Sequence, residues 1–494
     1  MSAKKKRVLL TGASGSMGGE AFKELLRRRD RCDIVLLLRP SKQNRGAFAK
    51  YDGQPGVTIV WGDLCNPDDV LKAVNGVDHV LHPAALIAPE ADGKPKQCRM
   101  INFGGTSNVI AAIKKQPNNG DHIRLVYIGS VAAYGDRLPP IEWINVGDPL
   151  KPSVGDYYAT TKIAAERAVI DSGIKQWAIM RQTYIAIPNA LTLMDPIMFH
   201  QPVNTHIELI TSQDAGYGLV QTTEAPDEFY GRVYNMGGGP SCRFIFVDYM
   251  RRMMKMFGLG EVTRIMPLNW FALRNFHCAW YEDSYVLNNY LGHWRHSLED
   301  HYKEVEASIP WYLRILKPCT QITPSFITGP FARLFMRRMA DPLRWIHDND
   351  EEKIKAFFGS RQKWESIPTW KDYALQPPNP EPPKRPEEAI PDKPTLEYAR
   401  ALAQARGGQC LSNSFVDLKT KLQWKCGLGH EFEGSPRLLQ AGHWCPKCAA
   451  PPWNYDEQAK VDPLLARFYY NNHEKDEHQK VDYLYCPYEP EAVG

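Results

Sequence analysis

The sequence has no long apolar run, so it predicts no helix that could span a bilayer. Near the N-terminus four basic residues precede only three apolar ones, which is too short for the core of a secretion signal. The 11 cysteines are odd in number and, without such a signal, do not indicate a disulfide framework. A net charge of +4 points neither to nor away from nucleic acid. We therefore expect a cytoplasmic protein.

The length and composition of the chain are typical of a globular protein with several domains. It has 494 residues, with 43% hydrophobic and 23% charged residues, and is too long for one compact core. From 377 to 394 there are eight prolines, which indicates an extended linker. We predict an N-terminal domain with interleaved segments of a second lobe (1–260), a helical, aromatic-rich cap (261–375), the linker (376–396), and a small cysteine-containing module with its tail (397–494).

Short Val/Ile/Leu runs alternate with amphipathic segments over the first 190 residues. Continuous apolar strands separated by helices are typical of a parallel sheet covered on both faces. We therefore predict an α/β fold with a doubly wound Rossmann sheet. The predicted strands are RVLLTG, DIVLLLR, VTIVWGDL, HVLHPAA, RLVYIGS and WAIMRQT.

A glycine-rich stretch, TGASGSMGG, follows the first predicted strand and opens the first helix. Small residues there let the backbone approach a pyrophosphate, and the helix N-terminus supplies aligned N–H donors. The alternative is a simple tight turn. The predicted cofactor contacts of this loop are Gly12, Ser14, Gly15, Ser16, Met17 and Gly18.

The end of the second predicted strand indicates which dinucleotide binds. An acidic residue there would favour NAD through the ribose 2′-hydroxyl. Here Arg39 takes that place, and a cation suits a 2′-phosphate, so we predict NADP, with NAD the alternative. The competing interpretation is a solvated surface arginine. Asp63 and Leu64, after the third strand, are predicted to hold the adenine.

These motifs together resemble the extended short-chain dehydrogenase/reductase superfamily, also called the NAD-dependent epimerase/dehydratase family. The resemblance covers roughly residues 7 to 260. The motifs that carry it, in family order, are TGASGSMG, GDL, HPAA, NFGGTSNVI, IGSVAAYG and YYATTK.

The resemblance implies a catalytic serine, tyrosine and lysine. Of the adjacent tyrosines only Tyr158 has a lysine four residues later, Lys162, and residues i and i+4 share a helix face. By resemblance Tyr158 exchanges a proton with the carbinol oxygen, Lys162 lowers its pKa and holds the ribose, and Ser130 orients the oxygen. The alternative is a structural tyrosine on an amphipathic helix.

Other site residues follow from the same resemblance. Ala84, Ala85 and Ile185 are predicted to contact the cofactor. We predict that Tyr134 and Gln182 contact the substrate, with neutral drift at Gln182 as the alternative. The apolar residues that follow the catalytic helix add Met198 as a predicted substrate contact, with a simple core position as the alternative. We interpret His82 as a supporting residue rather than a catalytic one.

Several reactions compete. Family dehydratases place Asp-Glu after the serine or threonine, and Val131 and Ala132 stand there instead, which excludes 4,6-dehydration. We predict an NADP-dependent oxidoreductase that acts on a carbonyl or secondary alcohol of a bulky apolar small molecule. The alternatives are a nucleotide-sugar epimerase with bound NAD and a non-catalytic, cofactor-sensing scaffold.

The C-terminal part suggests a metal site. Cys426 and His430 form one ligand pair and Cys445 and Cys448 another, with 14 residues between the pairs. Four such ligands suit tetrahedral Zn²⁺ in a structural site, and the pattern resembles treble-clef or zinc-ribbon modules. Cys410 and His443 are spare candidates.

Partners are less defined by the sequence. The zinc module lacks an aromatic-basic strip, so we expect no nucleic acid. The stretch 326–346 mixes aromatic residues with arginines, and we interpret it as a solvated capping helix rather than a membrane-surface helix. A homodimer is implied by the family resemblance.

Overall fold

The computed structural model describes most of the chain up to residue 439. The described residues are 5–87, 90–135, 143–146, 150, 153, 156–189, 195–311, 325–373, 393–404, 408–418, 420–425, 429, 431–436 and 439. The strands are β1 (Lys6–Thr11), β2 (Cys32–Leu38), β3 (Val57–Trp61), β4 (His79–His82), β5 (Arg124–Ser130), β6 (Trp143–Ile144), β7 (Gln176–Gln182), β8 (Ile185–Ala186), β9 (His206–Glu208), β10 (Ile210–Thr211), β11 (Arg232–Met236), β12 (Arg243–Ile245), β13 (Trp280–Tyr281), β14 (Gln409–Cys410), β15 (Leu422–Lys425) and β16 (Glu431–Gly434).

Helices connect the strands of the sheet and form most of the region after residue 245. They are α1 (Ser16–Arg27), α2 (Lys42–Phe48), α3 (Pro67–Val74), α4 (Glu90–Gly93), α5 (Pro95–Arg99), α6 (Gly105–Lys114), α7 (Tyr157–Ile170), α8 (Ser212–Gln221), α9 (Phe246–Met256), α10 (Val262–Ile265), α11 (Ser284–Leu291), α12 (Leu298–Ser308), α13 (Ser325–Met339), α14 (Asp341–His347), α15 (Glu351–Phe358), α16 (Arg361–Glu365) and α17 (Leu396–Gln404).

The predicted parallel Rossmann sheet is confirmed. Seven strands lie in the order β11-β7-β5-β4-β1-β2-β3, and every neighbouring pair is parallel. The strand order reverses between β1 and β4, and ligands of open α/β sheets bind beyond the carboxyl ends of the strands at such a point. The seventh strand, β11, was not among the predicted ones.

Alternate residues of β1 show how the sheet is covered on both faces. Val8 and Leu10 belong to one buried apolar cluster, which includes residues of α1 and α8. Leu9 belongs to the other, which includes residues of α3, α6 and α7. Since successive side chains point to opposite faces of a strand, a strand covered on both sides reads as an unbroken apolar run.

A second lobe lies beyond the carboxyl end of β7. Three two-stranded ladders belong to it or border it: β8 with β10, β9 with β12, and β6 with β13. A separate buried cluster of methionines, phenylalanines and tryptophans joins α9, α10, α12 and part of α13. No helix built from the described residues is long and apolar enough to cross a bilayer.

The described C-terminal residues form a small unit with its own core. Strands β14, β15 and β16 make an antiparallel sheet, and Trp424 is fully buried with Phe432 and Ala399 beside it. The predicted zinc ligands Cys426, His430, Cys445 and Cys448 lie outside the described residues. Within the described parts no group of three or more His, Cys, Asp or Glu side chains could hold a metal ion. The zinc site therefore stays a prediction.

Candidate active site

The glycine loop forms a tight cradle between β1 and α1. Gly12 has φ +64°, and a Cβ there would lie 2.9 Å from the backbone of Ala84, in the loop after β4. A Cβ on Gly18 would lie 2.1 Å from the carbonyl oxygen of Gly12. Helix α1 begins after Gly15 without a side-chain cap, so its first N–H groups are left for a ligand. This cradle fits the pyrophosphate of a dinucleotide.

The residues predicted to bind the adenosine half lie at the ends of β2 and β3. Arg39 is exposed directly after β2, and among the described residues its guanidinium makes no hydrogen bond or ion pair. Its carbonyl accepts a hydrogen bond from the Asn44 side chain at 2.9 Å, which orders the turn. Asp63 accepts from the Cys65 N–H at 2.8 Å, and Leu64 is buried against Gly105.

Tyr158 and Ser130 meet in a cleft beyond the carboxyl ends of the central strands. Ser130 ends β5, and its oxygen accepts from the Ala132 N–H at 3.2 Å. Tyr158 stands in the first turn of α7 and is 6% exposed. Burial raises the pKa of Tyr158 to about 12, although a hydrogen bond from Ser130 favours the phenolate and acts in the opposite direction. The phenol is therefore protonated at neutral pH.

Lys162 differs from the sequence-based expectation. Its ammonium donates to the carbonyl of Ile128 within β5 and lies 4.2 Å from the ring centroid of Tyr127. Burial lowers the pKa of Lys162 to about 7. The ammonium is thus engaged by the sheet, and burial raises the pKa of Tyr158. The acidification of Tyr158 by Lys162 stays a prediction.

This buried ammonium gives a stability prediction. In the unfolded chain the pKa of Lys162 is about 10.5, whereas in the folded protein it is about 7. Burial of the ammonium therefore lowers the free energy of unfolding most below pH 7, where the folded protein still carries the charge. This loss of stability becomes smaller as pH rises from 7 towards 10.5. We expect Lys162→Met to raise the midpoint of thermal unfolding, with the larger gain at about pH 6 than at about pH 9. Lys114→Met is the control, since Lys114 donates to the Ser172 carbonyl at 3.0 Å but is exposed. An equal shift at both pH values would contradict the prediction.

His82 is a supporting residue in the structure. Its ring is fully buried and both nitrogens are engaged, one with Thr11 at 2.8 Å and the other with Thr106 at 3.1 Å. Burial lowers the pKa of His82 to about 3, so the ring is neutral. It joins β1, β4 and α6 and has no free nitrogen for a substrate.

The sequence analysis did not predict the role of Asn102. It lies in a π-helical turn, Met100–Gly104, and bonds to both backbone groups of Leu86, at 2.7 and 3.0 Å. Its amide also donates to Thr161 of α7 at 3.0 Å. Asn102 therefore ties the loop after β4 to the helix that carries Tyr158. A π-helical turn cannot be read from apolar periodicity, and such turns are frequent at functional sites.

One cavity of about 480 Å³ runs from the glycine loop past Ser130 and Tyr158 into the second lobe. Gln182 and Thr183, at the end of β7, line its middle, and each has a buried side-chain oxygen without a hydrogen-bond partner. Such groups are costly unless a ligand or water satisfies them. The second-lobe part of the lining is mostly apolar, with Met198, Phe244, Met250, Met253, Met254 and Phe276, and it also includes the polar side chains of Asp195, Gln201, Tyr249 and His277.

The predicted contacts divide between the cavity and its surroundings. The predicted cofactor residues that line the cavity are Gly12, Gly15, Ser16, Met17, Gly18, Ala85, Tyr158 and Ile185. Those that do not line it are Ser14, Arg39, Asp63, Leu64, Ala84 and Lys162.

The predicted substrate contacts divide too. Gln182 and Met198 line the cavity. Tyr134 does not, because it is 1% exposed, donates to Asn235 at 2.7 Å and accepts from Arg181 at 2.7 Å. Its hydroxyl belongs to a buried network beneath the sheet ends, so its position does not favour the predicted substrate contact.

The fold and this site define an α/β protein with a glycine loop, a serine and a tyrosine at one cleft. Residues 8–179 match the profile of the NAD dependent epimerase/dehydratase family. The matched segment runs from β1 into β7 and holds the glycine loop, Ser130, Tyr158 and Lys162. This segment is thus similar to the NAD dependent epimerase/dehydratase family and to proteins named as reductases and dehydrogenases.

Among curated proteins, 2-alkyl-3-oxoalkanoate reductase of Shewanella oneidensis is 31% identical over 174 residues, 35% of this chain and 40% of its own length. Human 3 beta-hydroxysteroid dehydrogenase type 7 is 29% identical over 174 residues, 34% of this chain and 45% of its own. The chain thus spans less than half the length of these relatives. UDP-glucuronic acid 4-epimerase of Bacillus cereus, solved with UDP-glucuronic acid and NAD, is 17% identical with a TM-score of 0.49, over 63% of this chain and 99% of its own.

Proposed function

We propose that the chain is an NADP-dependent oxidoreductase that moves a hydride between nicotinamide and the carbonyl or secondary alcohol of a bulky apolar small molecule. The observation that carries the proposal is the cavity itself. Tyr158 and Ser130 face it between the glycine cradle at one end and the methionine- and phenylalanine-lined lobe at the other. A reacting carbonyl at the two hydroxyls would have a cofactor on one side and apolar surface on the other.

Tyr158 is the proton donor in this proposal. When bound at the glycine loop, the dinucleotide supplies the hydride. Ser130 donates a hydrogen bond that orients the carbonyl oxygen, and Tyr158 gives its proton to that oxygen. Because burial raises the pKa of Tyr158 to about 12, the phenol is present as an acid rather than a base. This protonation state favours reduction over oxidation.

The apolar half of the cleft supports the substrate class. Binding pockets for small molecules are mostly apolar with a few placed polar groups, and this cavity has that composition. Methionine side chains such as those of Met250 and Met253 adapt to irregular shapes. The relatives are named for 3 beta-hydroxysteroids and for 2-alkyl-3-oxoalkanoates, which are carbinol or carbonyl compounds with large apolar parts, the latter also carrying a carboxylate. A substrate with a large apolar part and a carbonyl or carbinol group suits this chain.

Arg39 supports NADP over NAD. The residue stands directly after β2, where a 2′-phosphate is bound in folds of this kind, and its guanidinium has no competing partner among the described residues. Arg45, nearby, is engaged with the Trp61 ring at 4.8 Å. Arg39 and the exposed Lys42 at the start of α2 are thus the available cations at this end of β2.

We expect Arg39→Ala to weaken NADPH binding by about tenfold or more and to leave NADH binding within about twofold, because only NADPH carries the 2′-phosphate. The measurement is a fluorescence titration of each cofactor. Arg29→Ala, an exposed arginine at the opposite end of the sheet, is the control. Equal effects on both cofactors, or none, would refute the assignment.

The proposed activity is tested by following NADPH oxidation with apolar ketones such as 2-dodecanone and 2-decalone. Ketone-dependent oxidation that needs the Tyr158 hydroxyl supports the proposal. Tightly bound NAD together with interconversion of nucleotide sugars would instead establish the epimerase alternative.

A further inference from the structure

A buried carboxamide in the second lobe lacks a hydrogen-bond partner among the described residues. Gln201 is 6% exposed and lines the cavity that also contains Ser130 and Tyr158. Its Oε1 atom is buried and accepts no hydrogen bond from the described part of the chain. A buried amide oxygen without a donor is destabilising, and such groups are rare in native proteins unless a ligand or an ordered water meets them. Gln201 is therefore a candidate contact for a molecule bound in the cavity.

The other polar side chains in the second-lobe part of the lining differ from Gln201 in this respect. Each of them has a protein partner: Asp195 accepts from the Ile197 N–H at 2.9 Å, the Tyr249 hydroxyl is hydrogen-bonded to Nε2 of His301 at 3.1 Å, and Nδ1 of His277 lies 3.1 Å from Oδ2 of Asp156. Within this described part of the lining, the hydrogen bond that the Gln201 oxygen needs has to come from a ligand or from water.

The neighbours of Gln201 fix its place beside the cavity. It follows a short turn, Pro196–Phe199, whose last residue is fully buried. The ring of Phe199 packs on that of Phe271 at a centroid distance of 5.1 Å. Pro202 comes directly after Gln201 and limits the backbone conformations that are open to it. The carboxamide is thus presented to the cavity by a segment that is anchored in the core of the second lobe.

The chemistry of the lining indicates which group Gln201 can receive. Its Oε1 atom only accepts, so the partner has to donate a hydrogen bond. The described residues that line the cavity include no lysine or arginine, and Asp195 contributes a carboxylate. An anionic group would therefore find no such cation to pair with, at a high desolvation cost, and a carboxylate could not donate to Oε1. A neutral hydroxyl group meets both requirements.

We infer that Gln201 binds a second, non-reacting hydroxyl group of the substrate, so that the substrate is a hydroxy ketone with an apolar body between its two oxygens. This inference rests on the proposed function and narrows its substrate class. Ser130 and Tyr158 hold the reacting oxygen at the ends of the central strands, and Gln201 holds the other oxygen in the second lobe. Gln201 determines specificity and takes no part in the proton transfer.

The test compares 10-hydroxydecan-2-one with undecan-2-one, in which a methyl group replaces the hydroxyl. Each ketone, with shorter and longer homologues of the pair, is titrated calorimetrically into the full chain with and without NADP⁺. Since neither condition supplies a hydride, binding is measured without turnover. The variants are Gln201→Met, which keeps the length of the side chain and removes the amide, and Gln362→Met. Gln362 is the matched control, because it is exposed on α16 and does not line the cavity.

We expect the hydroxy ketone of one chain length to bind the wild-type protein at least about tenfold more tightly than its methyl counterpart. A site that hydrogen-bonds a hydroxyl rejects the analogue without it, because the buried polar group of the protein is then left unpaired. Gln201→Met should abolish this preference. It should also raise the midpoint of thermal unfolding, because a buried amide oxygen without a partner is removed. Gln362→Met should keep the preference and the midpoint of the wild type.

Four results would overturn the inference: equal binding of the two ketones at every chain length, a preference that survives in Gln201→Met, binding of neither ketone, or a lower unfolding midpoint in Gln201→Met. The last result would show that the amide supports the fold instead of the ligand. A preference for the hydroxy ketone that depends on Gln201, without any NADPH-dependent ketone reduction, would overturn the proposed function alone.

Discussion

Tyr158→Phe is expected to lower kcat for ketone reduction by about 10² to 10⁴-fold, the range ascribed to a lost general acid. The substitution removes one hydroxyl and keeps the ring, which packs in a small buried cluster with Ala91, Cys98 and Ala132. Ser130 keeps its bond to the Ala132 N–H, so the neighbouring oxygen stays in place. NADPH affinity, measured by fluorescence titration, should change by no more than about threefold.

The adjacent residue provides a matched control. Tyr157→Phe removes a hydroxyl from the same turn of α7, but Tyr157 does not line the cavity. Its turnover should stay within about twofold of the wild type. If both variants lose turnover equally, or if Tyr158→Phe keeps it, Tyr158 is not the proton donor.

The pH dependence of the reaction follows from the same residue. The active form of Tyr158 is the protonated one, and with a pKa of about 12 it is lost only as pH rises through that value. Tyr158 should therefore impose no fall in the reduction rate between about pH 6 and 10. Any fall near neutral pH must come from another group, and Lys162, with its pKa lowered to about 7, is the group to examine.

The parts of the site that the sequence predicted are those with local signals. The glycine loop is recognisable because spacing, strand and helix all fall within 20 residues, and Tyr158 is separated from Tyr157 by the i, i+4 rule alone. Helix α7 itself lacks an amphipathic stripe, because nearly all of its length is buried. Its existence was inferred from the motif rather than from periodicity.

The features of the site that the sequence did not predict depend on contacts between segments that are far apart in the chain. The Lys162 ammonium is drawn to Ile128 by the way α7 packs on β5, which no spacing rule contains. His277 meets Asp156 from a loop far along the chain, after the strained residue Asn275. Tyr134 looked like a cleft residue because it follows Ser130 closely, yet the turn after β5 directs it into the core. In each of these cases the direction in which the side chain points, and not its residue type, determines what it contacts.

Gly15→Ala is expected to weaken NADPH binding by about 10²-fold without unfolding the protein, because a methyl group would take the space that a phosphate needs. The backbone of Gly15 has φ −87°, which alanine adopts without strain. A Cβ there would meet only the Gly12 carbonyl oxygen, at 3.4 Å, and otherwise open space. Because Gly15 lines the cavity, the new methyl group lies where the dinucleotide must approach the helix N-terminus.

Substitutions at two other glycines distinguish a loss of NADPH binding caused by blocked space from one caused by a destabilised fold. Gly46→Ala adds a methyl group with no atom within 4 Å inside α2, so the unfolding midpoint should be equal to or slightly above that of the wild type, and NADPH affinity should stay near wild type. Gly18→Ala forces a Cβ to 2.1 Å from the Gly12 carbonyl oxygen, so it should lower the midpoint of thermal unfolding as well as abolish binding. Titration and thermal unfolding on the three variants distinguish these cases. If Gly15→Ala binds NADPH as the wild type does, the cofactor is not held at the α1 N-terminus, and the site proposed here for the dinucleotide is wrong.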